Sequence, residues 1–269
     1  MYRLGFIGCG NMGGAMLQKM LKAGLFQPDE VIVSDISSAI RDQWQQEWHI
    51  HVTDDNRTAA QAEILFLGVK PQYLAAVADE IKGVLRKDTL IISIVMSYSL
   101  EKLSEMLNIP QSAIVRVMPN TPALVGEGVL AACRNALVSD EQWHLAMKML
   151  SCMGLAREVD EKLMDAVTGV SGCGPAFCFL FIEALADAGV RGGLTRKMAL
   201  EFAAQTLLGS AKMLLETGKH PGELKDMVTS PAGATIEGVA ALEKNGFRYA
   251  AIEAVEAAIR RAKGFETNQ

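Results

Sequence analysis

The chain has 269 residues, of which 50% are hydrophobic, 21% charged and 6% aromatic. This composition is typical of a globular protein, excludes disordered and collagen-like chains, and leaves room for one large domain or two smaller ones. The formal charge is −5, with 26 basic and 31 acidic residues interspersed along the chain. We therefore expect no nucleic-acid partner and no membrane partner, since an anionic surface would require a basic patch.

Neither a membrane span of about 20 apolar residues nor a signal peptide is visible, so we expect a cytoplasmic protein. The five cysteines are odd in number and include no Cys-x-x-Cys, which argues against a disulfide framework or a structural zinc site. The four histidines include no pair spaced i, i+4. We predict reduced cysteines and no metal site.

Strand and helix patterns alternate over the first 160 residues. Short apolar or β-branched runs predict strands at 3–7, 30–34, 50–52, 64–69, 89–94, 113–118, 129–133 and 156–159. Helical spacing of apolar residues predicts helices at 11–23, 37–48, 73–84 and 141–152. The alternation predicts an α/β domain over residues 1–160, with a doubly wound parallel sheet that carries helices on both faces.

Beyond residue 160 the strand patterns stop and helix formers dominate. The run 176–182 is apolar on all sides, so its helix should be buried. An apolar seam at steps of four and three residues, suited to packing against another helix, consists of Leu200, Ala204, Leu207, Ala211 and Leu214. We expect residues 161–269 to form an all-helical domain that also joins subunits in a homodimer or a higher homo-oligomer.

The first chemical motif is Gly8-Cys9-Gly10-Asn11-Met12-Gly13, which follows a predicted strand and opens a predicted helix. Glycines at this spacing permit a tight turn, a close approach of the backbone to a pyrophosphate, and close packing of helix on strand. The N–H groups and the dipole of the helix start would then hold the phosphates. The motif predicts a Rossmann-like dinucleotide-binding domain, with a glycine-rich turn that binds no nucleotide as the alternative.

Asp35 ends the second predicted strand, 22 residues after Gly13, where an acidic residue is expected to bind the adenosine ribose. A carboxylate there would accept hydrogen bonds from the ribose 2′-OH of NAD and would repel the 2′-phosphate of NADP. Ser37, Ser38 and Arg41 follow closely and could contact such a phosphate. The sequence therefore leaves NAD(H) and NADP(H) both open.

Two loops follow predicted strands. Val69-Lys70-Pro71 lies where a strand's carboxyl end would line the crevice of the sheet, although Lys70 suits a solvated loop equally well. Met118-Pro119-Asn120-Thr121-Pro122 predicts a rigid polar loop, for which a structural turn is the simpler interpretation.

The segment Ser230-Pro231-Ala232-Gly233-Ala234-Thr235 predicts a helix start. Ser230 suits the N-cap and Pro231 the first helical position. The small residues that follow would let a carboxylate approach the free N–H groups, with one hydroxyl, that of Thr235, near it. An ordinary capped helix is the alternative.

Together these motifs resemble those of the pyrroline-5-carboxylate reductase family along the whole chain. The resemblance also rests on the segments 170–177 (Val-Ser-Gly-Cys-Gly-Pro-Ala-Phe), 220–226 (His-Pro-Gly-Glu-Leu-Lys-Asp) and 230–236. It implies reduction of 1-pyrroline-5-carboxylate to L-proline with NADPH or NADH, the last step of proline biosynthesis. It also implies an N-terminal Rossmann domain and a C-terminal helical domain that interlocks two subunits.

The resemblance further implies the residues of the site. The cofactor would lie against Gly8, Cys9, Gly10, Asn11, Met12, Gly13, Ser34, Asp35, Asn56, Val69, Lys70 and Pro71. The substrate would lie near Glu161, Ser230, Gly233, Ala234 and Thr235. Thr235 and Glu161 are the catalytic candidates, with the Thr235 hydroxyl hydrogen-bonded to the ring nitrogen.

The chain departs from the family pattern at three places. The family usually has Ser and Tyr where Cys173 and Phe177 stand, two glycines at 232–233, and Ala-Ala-Gly at 95–97, where this chain has Val-Met-Ser. The bulkier loop 95–97 could reshape the nicotinamide pocket. Two alternatives remain open: a related cyclic-imine or 3-hydroxyacid reductase, and a non-enzymatic nicotinamide-nucleotide-binding protein.

Overall fold

The structure, a computed structural model, describes residues 2–109 and 111–266, with side chains up to residue 263. It divides into two compact units. The first contains the residues up to Gly172 together with those from Ile259 on, and the second is Cys173–Ala258. The first unit thus extends twelve residues past the predicted domain boundary at 160/161.

The first unit is built on one eight-stranded sheet with the order β3-β2-β1-β4-β5-β6-β7-β8. The strands are β1 Leu4–Ile7, β2 Val31–Ser34, β3 His51–Thr53, β4 Ile64–Leu67, β5 Leu90–Ser93, β6 Ala113–Met118, β7 Gly128–Arg134 and β8 Gly154–Glu158. All eight predicted strands are present. Every residue of β1, β2, β4 and β5 is buried, because helices cover both faces of a doubly wound sheet.

The sheet departs from the parallel prediction at one pair, because β7 runs antiparallel to β6. The chain between them, residues 119–127, contains only a short 3-10 turn, Thr121–Val125. A parallel crossover needs roughly a dozen or more residues, so this connection is too short to return the chain to the starting edge of the sheet.

Helices of the first unit lie on both faces of the sheet. They are α1 Asn11–Lys22, α2 Ser38–Trp48, α3 Asn56–Ala60, α4 Pro71–Ile81, α5 Leu100–Leu107, α6 Asp140–Ser151 and α7 Met164–Val167. Alternate strand residues contribute to two hydrophobic cores. One contains Phe6 stacked on Phe66, with ring centroids 4.3 Å apart, and the other contains Ile7, Leu65 and Leu67. Neither α3 nor α5 was predicted from the sequence, although Asp55 and Ser99 cap these helices through their side chains.

The second unit is helical throughout its described residues. It contains α8 Gly174–Arg191, α9 Arg196–Thr217, α10 Pro221–Met227, α11 Ala234–Lys244 and most of α12 Phe247–Glu266. Its core within one chain is small, with Ala186, Ala199 and Ala203 buried and Ile182 packed against them.

The predicted burial of the run 176–182 is not met within a single chain. Phe179 and Leu180 are more than 60% exposed, and Leu200 of the predicted seam is also exposed. By length and composition alone, the helical stretch 161–191 would be able to cross a membrane, and 11% of its most apolar window is buried. This surface is apolar enough to require a cover that one chain does not supply.

Candidate active site

The glycine-rich turn lies between β1 and α1 and is shaped by a close approach of β4. Gly8 has φ +84°, a left-handed conformation that favours glycine. A Cβ on Gly8 would lie 2.8 Å from both the backbone N and Cγ1 of Val69. Tight packing here therefore brings Val69-Lys70-Pro71 beside the glycine-rich turn, as the sequence predicted for the sheet's crevice.

Gly10 differs from its neighbours, because a Cβ placed on it would meet no heavy atom within 4 Å. The fold does not need glycine at this position, although Gly10 is the N-cap of α1. The first N–H groups of a helix have no partner within the helix and favour an anion. Open space above free N–H groups at Gly10, Asn11 and Met12 fits a pyrophosphate.

Asp35 is held against this turn by two backbone groups. Its Oδ2 accepts the N–H of Cys9 and its Oδ1 accepts the N–H of Ser37, each at 2.9 Å. Arg41 donates from Nη1 to the carbonyls of Asp35 (2.7 Å) and Ile36 (3.2 Å). Burial and the Asp35 charge raise the pKa of the Cys9 thiol well above its ordinary value.

Ser34 and Asn56 form a short hydrogen-bond chain with Glu80. The buried Ser34 hydroxyl donates to Oδ1 of Asn56 at 2.7 Å, and Nδ2 of Asn56 donates to Oε2 of Glu80 at 2.6 Å. These two predicted cofactor residues, at the ends of β2 and the start of α3, therefore lie together. Glu80, on α4, was not singled out from the sequence.

Lys70 is the N-cap of α4 and Pro71 its first residue, two residues before the predicted start of this helix at 73. Asn120, by contrast, has a structural role. Its amide donates to the carbonyl of Ser171 at 3.0 Å, and its Oδ1 accepts the N–H of Val129 at 2.8 Å. The structure therefore favours a structural turn for the loop 118–122.

Glu161 is anchored in the first unit. Its Oε1 accepts both Nη1 of Arg116 at 3.0 Å and the N–H of Leu100, the first residue of α5, at 2.7 Å. The Arg116 side chain is 10% exposed and that of Glu161 33%. Glu161 also lines an open pocket of about 490 Å³ with Leu100, Cys133 and Asp160.

Arg116 was missed by the sequence analysis, although a signal existed. It interrupts an otherwise apolar strand, and a charged residue buried in a strand needs a partner. Its charge partner is Glu161, and Cys133 stands opposite Arg116 in the pairing of β6 with β7. Burial, with the Glu161 charge, raises the pKa of this thiol to about 12, while Arg116 opposes the shift.

The predicted helix start, with Ser230 as the N-cap and Pro231 as the first helical residue, is wrong by three residues, since Gly233 is the N-cap of α11 and Ala234 its first residue. The N–H of Gly233 donates to the carbonyl of Ser230 at 3.1 Å, and Ala232 has φ +55°. Proline followed by a left-handed residue is the pattern of a type II turn, and a left-handed residue cannot continue a helix. Thr235 is thereby the second residue of α11 and is exposed.

The predicted site residues therefore fall into three local groups. The cofactor residues from Gly8 to Pro71 converge at the carboxyl ends of β1, β2 and β4. Glu161 follows β8 in the same unit, and the segment 230–235 lies in the second unit.

The sheet order, the crevice at the ends of β1 and β4, and the glycine-rich turn define a Rossmann-type nicotinamide-dinucleotide oxidoreductase with an added helical domain. Comparison with known proteins gives the particular family. A family model described as pyrroline-5-carboxylate reductase dimerisation matches residues 161–265, and one described as NADP oxidoreductase, coenzyme F420-dependent, matches residues 3–97.

Relatives match over the full length. A pyrroline-5-carboxylate reductase of Synechocystis sp. is 47% identical over 262 residues, which cover 97% of each chain. Among solved structures, Plasmodium falciparum pyrroline carboxylate reductase with NADP bound has a TM-score of 0.88 at 35% identity, and a Coxiella burnetii pyrroline-5-carboxylate reductase has 0.91 at 34%; both alignments cover 98% of each chain. The chain belongs to the pyrroline-5-carboxylate reductase family.

Proposed function

We propose that this protein reduces 1-pyrroline-5-carboxylate to L-proline with NADH or NADPH, as the last step of proline biosynthesis. The observation that carries the proposal is the full-length, 47% identical match to a pyrroline-5-carboxylate reductase. The open cradle at Gly10 supports it, because a dinucleotide is the ligand that such a cradle fits. Family membership disfavours the hydroxyacid reductase alternative.

The cofactor supplies a hydride when it is bound, and the protein supplies binding and orientation. The turn at Gly8–Gly13 and the start of α1 hold the pyrophosphate through backbone N–H groups. Ser34, Asp35 and Asn56 border the adenosine ribose. Val69, Lys70 and Pro71 border the remainder of the crevice, and the family resemblance assigns these roles.

The second unit holds the substrate carboxylate at the start of α11. Gly233 precedes the helix, and the backbone N–H groups of Ala234, Thr235 and Ile236 are those of its first turn. Such groups favour an anion. The Thr235 hydroxyl forms a hydrogen bond with the ring nitrogen. The turn at Ser230 precedes α11 and leaves its first N–H groups and this hydroxyl open to the substrate.

Glu161 contributes a fixed negative charge. Arg116 and the Leu100 N–H occupy two of the roughly four acceptor positions of a carboxylate. The family resemblance makes this carboxylate a catalytic candidate, because a fixed negative charge suits a protonated imine, whose ring carbon accepts hydride more readily than that of the neutral imine. Positioning and electrostatics carry the reaction, with no covalent intermediate on the protein.

The second unit also forms a homodimer in this proposal. The dimerisation-domain match at 161–265 and the exposed apolar side chains of α8 and α9 support it. Sedimentation at low protein concentration tests this assembly, and a stable, active monomer would refute it. Buried thiols at Cys9 and Cys133 suit the reducing cytoplasm, where we place the enzyme.

One assay tests the activity. Purified protein is mixed with 1-pyrroline-5-carboxylate and either NADH or NADPH, and the loss of reduced-nicotinamide absorbance is followed. L-proline is identified by mass spectrometry as the product, and omission of the imine is the control. Oxidation of neither cofactor, in protein that still binds the dinucleotide, would favour the non-enzymatic binding protein.

A further inference from the structure

We infer that Asp35 makes this protein select NADH over NADPH, by presenting a fixed carboxylate to the 2′ position of the adenosine ribose. The inference deepens the proposed function and rests on it for the identity of the cofactor site. The fold and the glycine-rich turn alone do not distinguish the two cofactors, which differ only by the 2′-phosphate.

The Asp35 carboxylate is not free to swing away. Its two oxygens accept the N–H groups of Cys9 and Ser37, each at 2.9 Å, which ties the end of β2 to the glycine-rich turn. Rotating the side chain would leave two backbone donors without partners, at a cost comparable to the lost hydrogen bonds. The negative charge therefore stays at the rim of the dinucleotide cradle.

The same carboxylate still has acceptor capacity. Two of its roughly four lone-pair positions are filled by Cys9 and Ser37, and the others suit donors such as the 2′- and 3′-hydroxyls of a ribose. A 2′-phosphate is an acceptor and carries roughly two negative charges near pH 7. Asp35 therefore binds the hydroxyl of NADH and repels the phosphate of NADPH.

The cation beside Asp35 is already bound by other groups. Arg41, on α2, donates from Nη1 to the carbonyls of Asp35 and Ile36, and its Nη2 lies 3.9 Å from Oδ2 of Asp54. Nδ2 of Asn56 donates to Glu80. The carboxylates in these contacts are Asp35, Asp54 and Glu80, and the one cation among them is Arg41.

The first experiment isolates the 2′-phosphate without any catalysis. Calorimetry compares AMP with adenosine 2′,5′-bisphosphate, and nicotinamide fluorescence compares NADH with NADPH. We expect the ligand that lacks the 2′-phosphate to bind about 10–100-fold more tightly at low salt, since the negative charge of Asp35 repels a phosphate. Equal affinities, or tighter binding of the phosphorylated ligand, would overturn the inference.

The salt dependence of these affinities shows whether the unmutated protein repels or attracts the 2′-phosphate. The Debye length falls from about 30 Å at 0.01 M to about 3 Å at 1 M, so a repulsion weakens as salt rises. We expect the preference for AMP over the bisphosphate to narrow with added salt. A preference that widens would mean that Arg41 attracts the phosphate, and would refute the role of Asp35.

Variants locate the effect. Asp35→Asn and Asp35→Ser should reduce the NADH preference at least about fivefold, because each removes the like charge. Asp29→Asn is the matched control, since Asp29 is an exposed carboxylate in the 3-10 turn that precedes the other end of β2. Melting curves report folding of each variant. Equal shifts in Asp35→Asn and Asp29→Asn would contradict a local cause.

The outcome separates this inference from the proposed function. If the protein binds NADH in preference to NADPH but reduces no imine, the activity is refuted while the role of Asp35 stands. If it reduces 1-pyrroline-5-carboxylate with equal kcat/KM for both cofactors, the activity stands and the selectivity is refuted.

Discussion

Arg116 on β6 and Glu161 after β8 form an ion pair, with Nη1 and Oε1 3.0 Å apart, although 45 residues separate them in the chain. The same carboxylate oxygen accepts the first N–H of α5 at 2.7 Å. One anchored carboxylate thereby joins a central strand, a helix start and the segment that leaves the sheet.

The energetic coupling of this pair should be large for a protein ion pair. A double-mutant cycle with Arg116→Gln and Glu161→Gln, measured by urea unfolding at one protein concentration, should give about 1–3 kcal/mol. Arg134 and Asp140 provide a control, also at 3.0 Å but with Asp140 80% exposed. Their cycle should give about 0.2–1 kcal/mol. Equal coupling in both pairs would show that the setting of Arg116 contributes nothing.

Stability should fall at alkaline pH through Cys133. Burial and the Glu161 charge raise the pKa of this thiol from 9.0 to about 12. Between these values the unfolded chain loses the proton and the folded protein keeps it, so the free energy of unfolding decreases as pH rises from about 9 to 12. Cys133→Ala should flatten this decrease, whereas Cys178→Ala, at an exposed cysteine, should not. Urea titrations at several pH values measure both slopes.

Substitution of Gly10 should weaken cofactor binding, whereas substitution of Gly13 should lower stability. Gly10→Val places its side chain in open space, so the melting temperature should hold while the dissociation constant of the dinucleotide rises at least about 100-fold, or ~2.8 kcal/mol. A Cβ on Gly13 would lie 2.7 Å from the Gly8 carbonyl oxygen, so Gly13→Ala should lower the melting temperature. Near-normal cofactor binding by Gly10→Val would mean that the glycine-rich motif is a turn that does not hold the pyrophosphate.

Thr235→Ala should lower kcat about 10–150-fold, the equivalent of a hydrogen bond of roughly 1.5–3 kcal/mol that strengthens as the ring nitrogen changes its charge. Because Thr235 is exposed in the first turn of α11, the fold should survive. Thr235→Ser keeps the hydroxyl and should retain most of the activity. A rise in KM alone would mean that the bond serves ground and transition states equally. Unchanged kcat and KM would leave Thr235 as a helix-start residue.

Ser97 and Ala232 both adopt left-handed backbone conformations, with φ of +69° and +55°. The family usually has glycine at both positions, and a left-handed non-glycine residue costs about 1–2 kcal/mol. After the entropic cost of glycine, Ser97→Gly and Ala232→Gly should each raise the free energy of unfolding by up to about 1 kcal/mol. Ser104→Gly, within α5, is the control and should lower it. Chemical denaturation measures the stability of all three variants. Destabilisation by Ser97→Gly and Ala232→Gly would show that the backbone at these two positions is not strained.

Local pattern was sufficient for most of the first unit. Buried parallel strands are short apolar runs, and Pro71 and Gly8–Gly13 mark helix starts and turns through properties of the residues themselves. The helix start at Ser230 was misplaced because Pro231 suits both the first turn of a helix and the second position of a type II turn. The left-handed Ala232 decides between them, and alanine gives no sign of it in the sequence.

The sequence by itself determined the order of the strands, the dinucleotide motif and the family, because each depends on residues near one another in the chain or on motifs in a fixed order. Only the tertiary structure decided that Cys9 holds Asp35, that Arg116 holds Glu161, and that the short link to β7 reverses its direction. Such pairings join residues far apart in sequence. They depend on sheet register and burial, which no local pattern encodes.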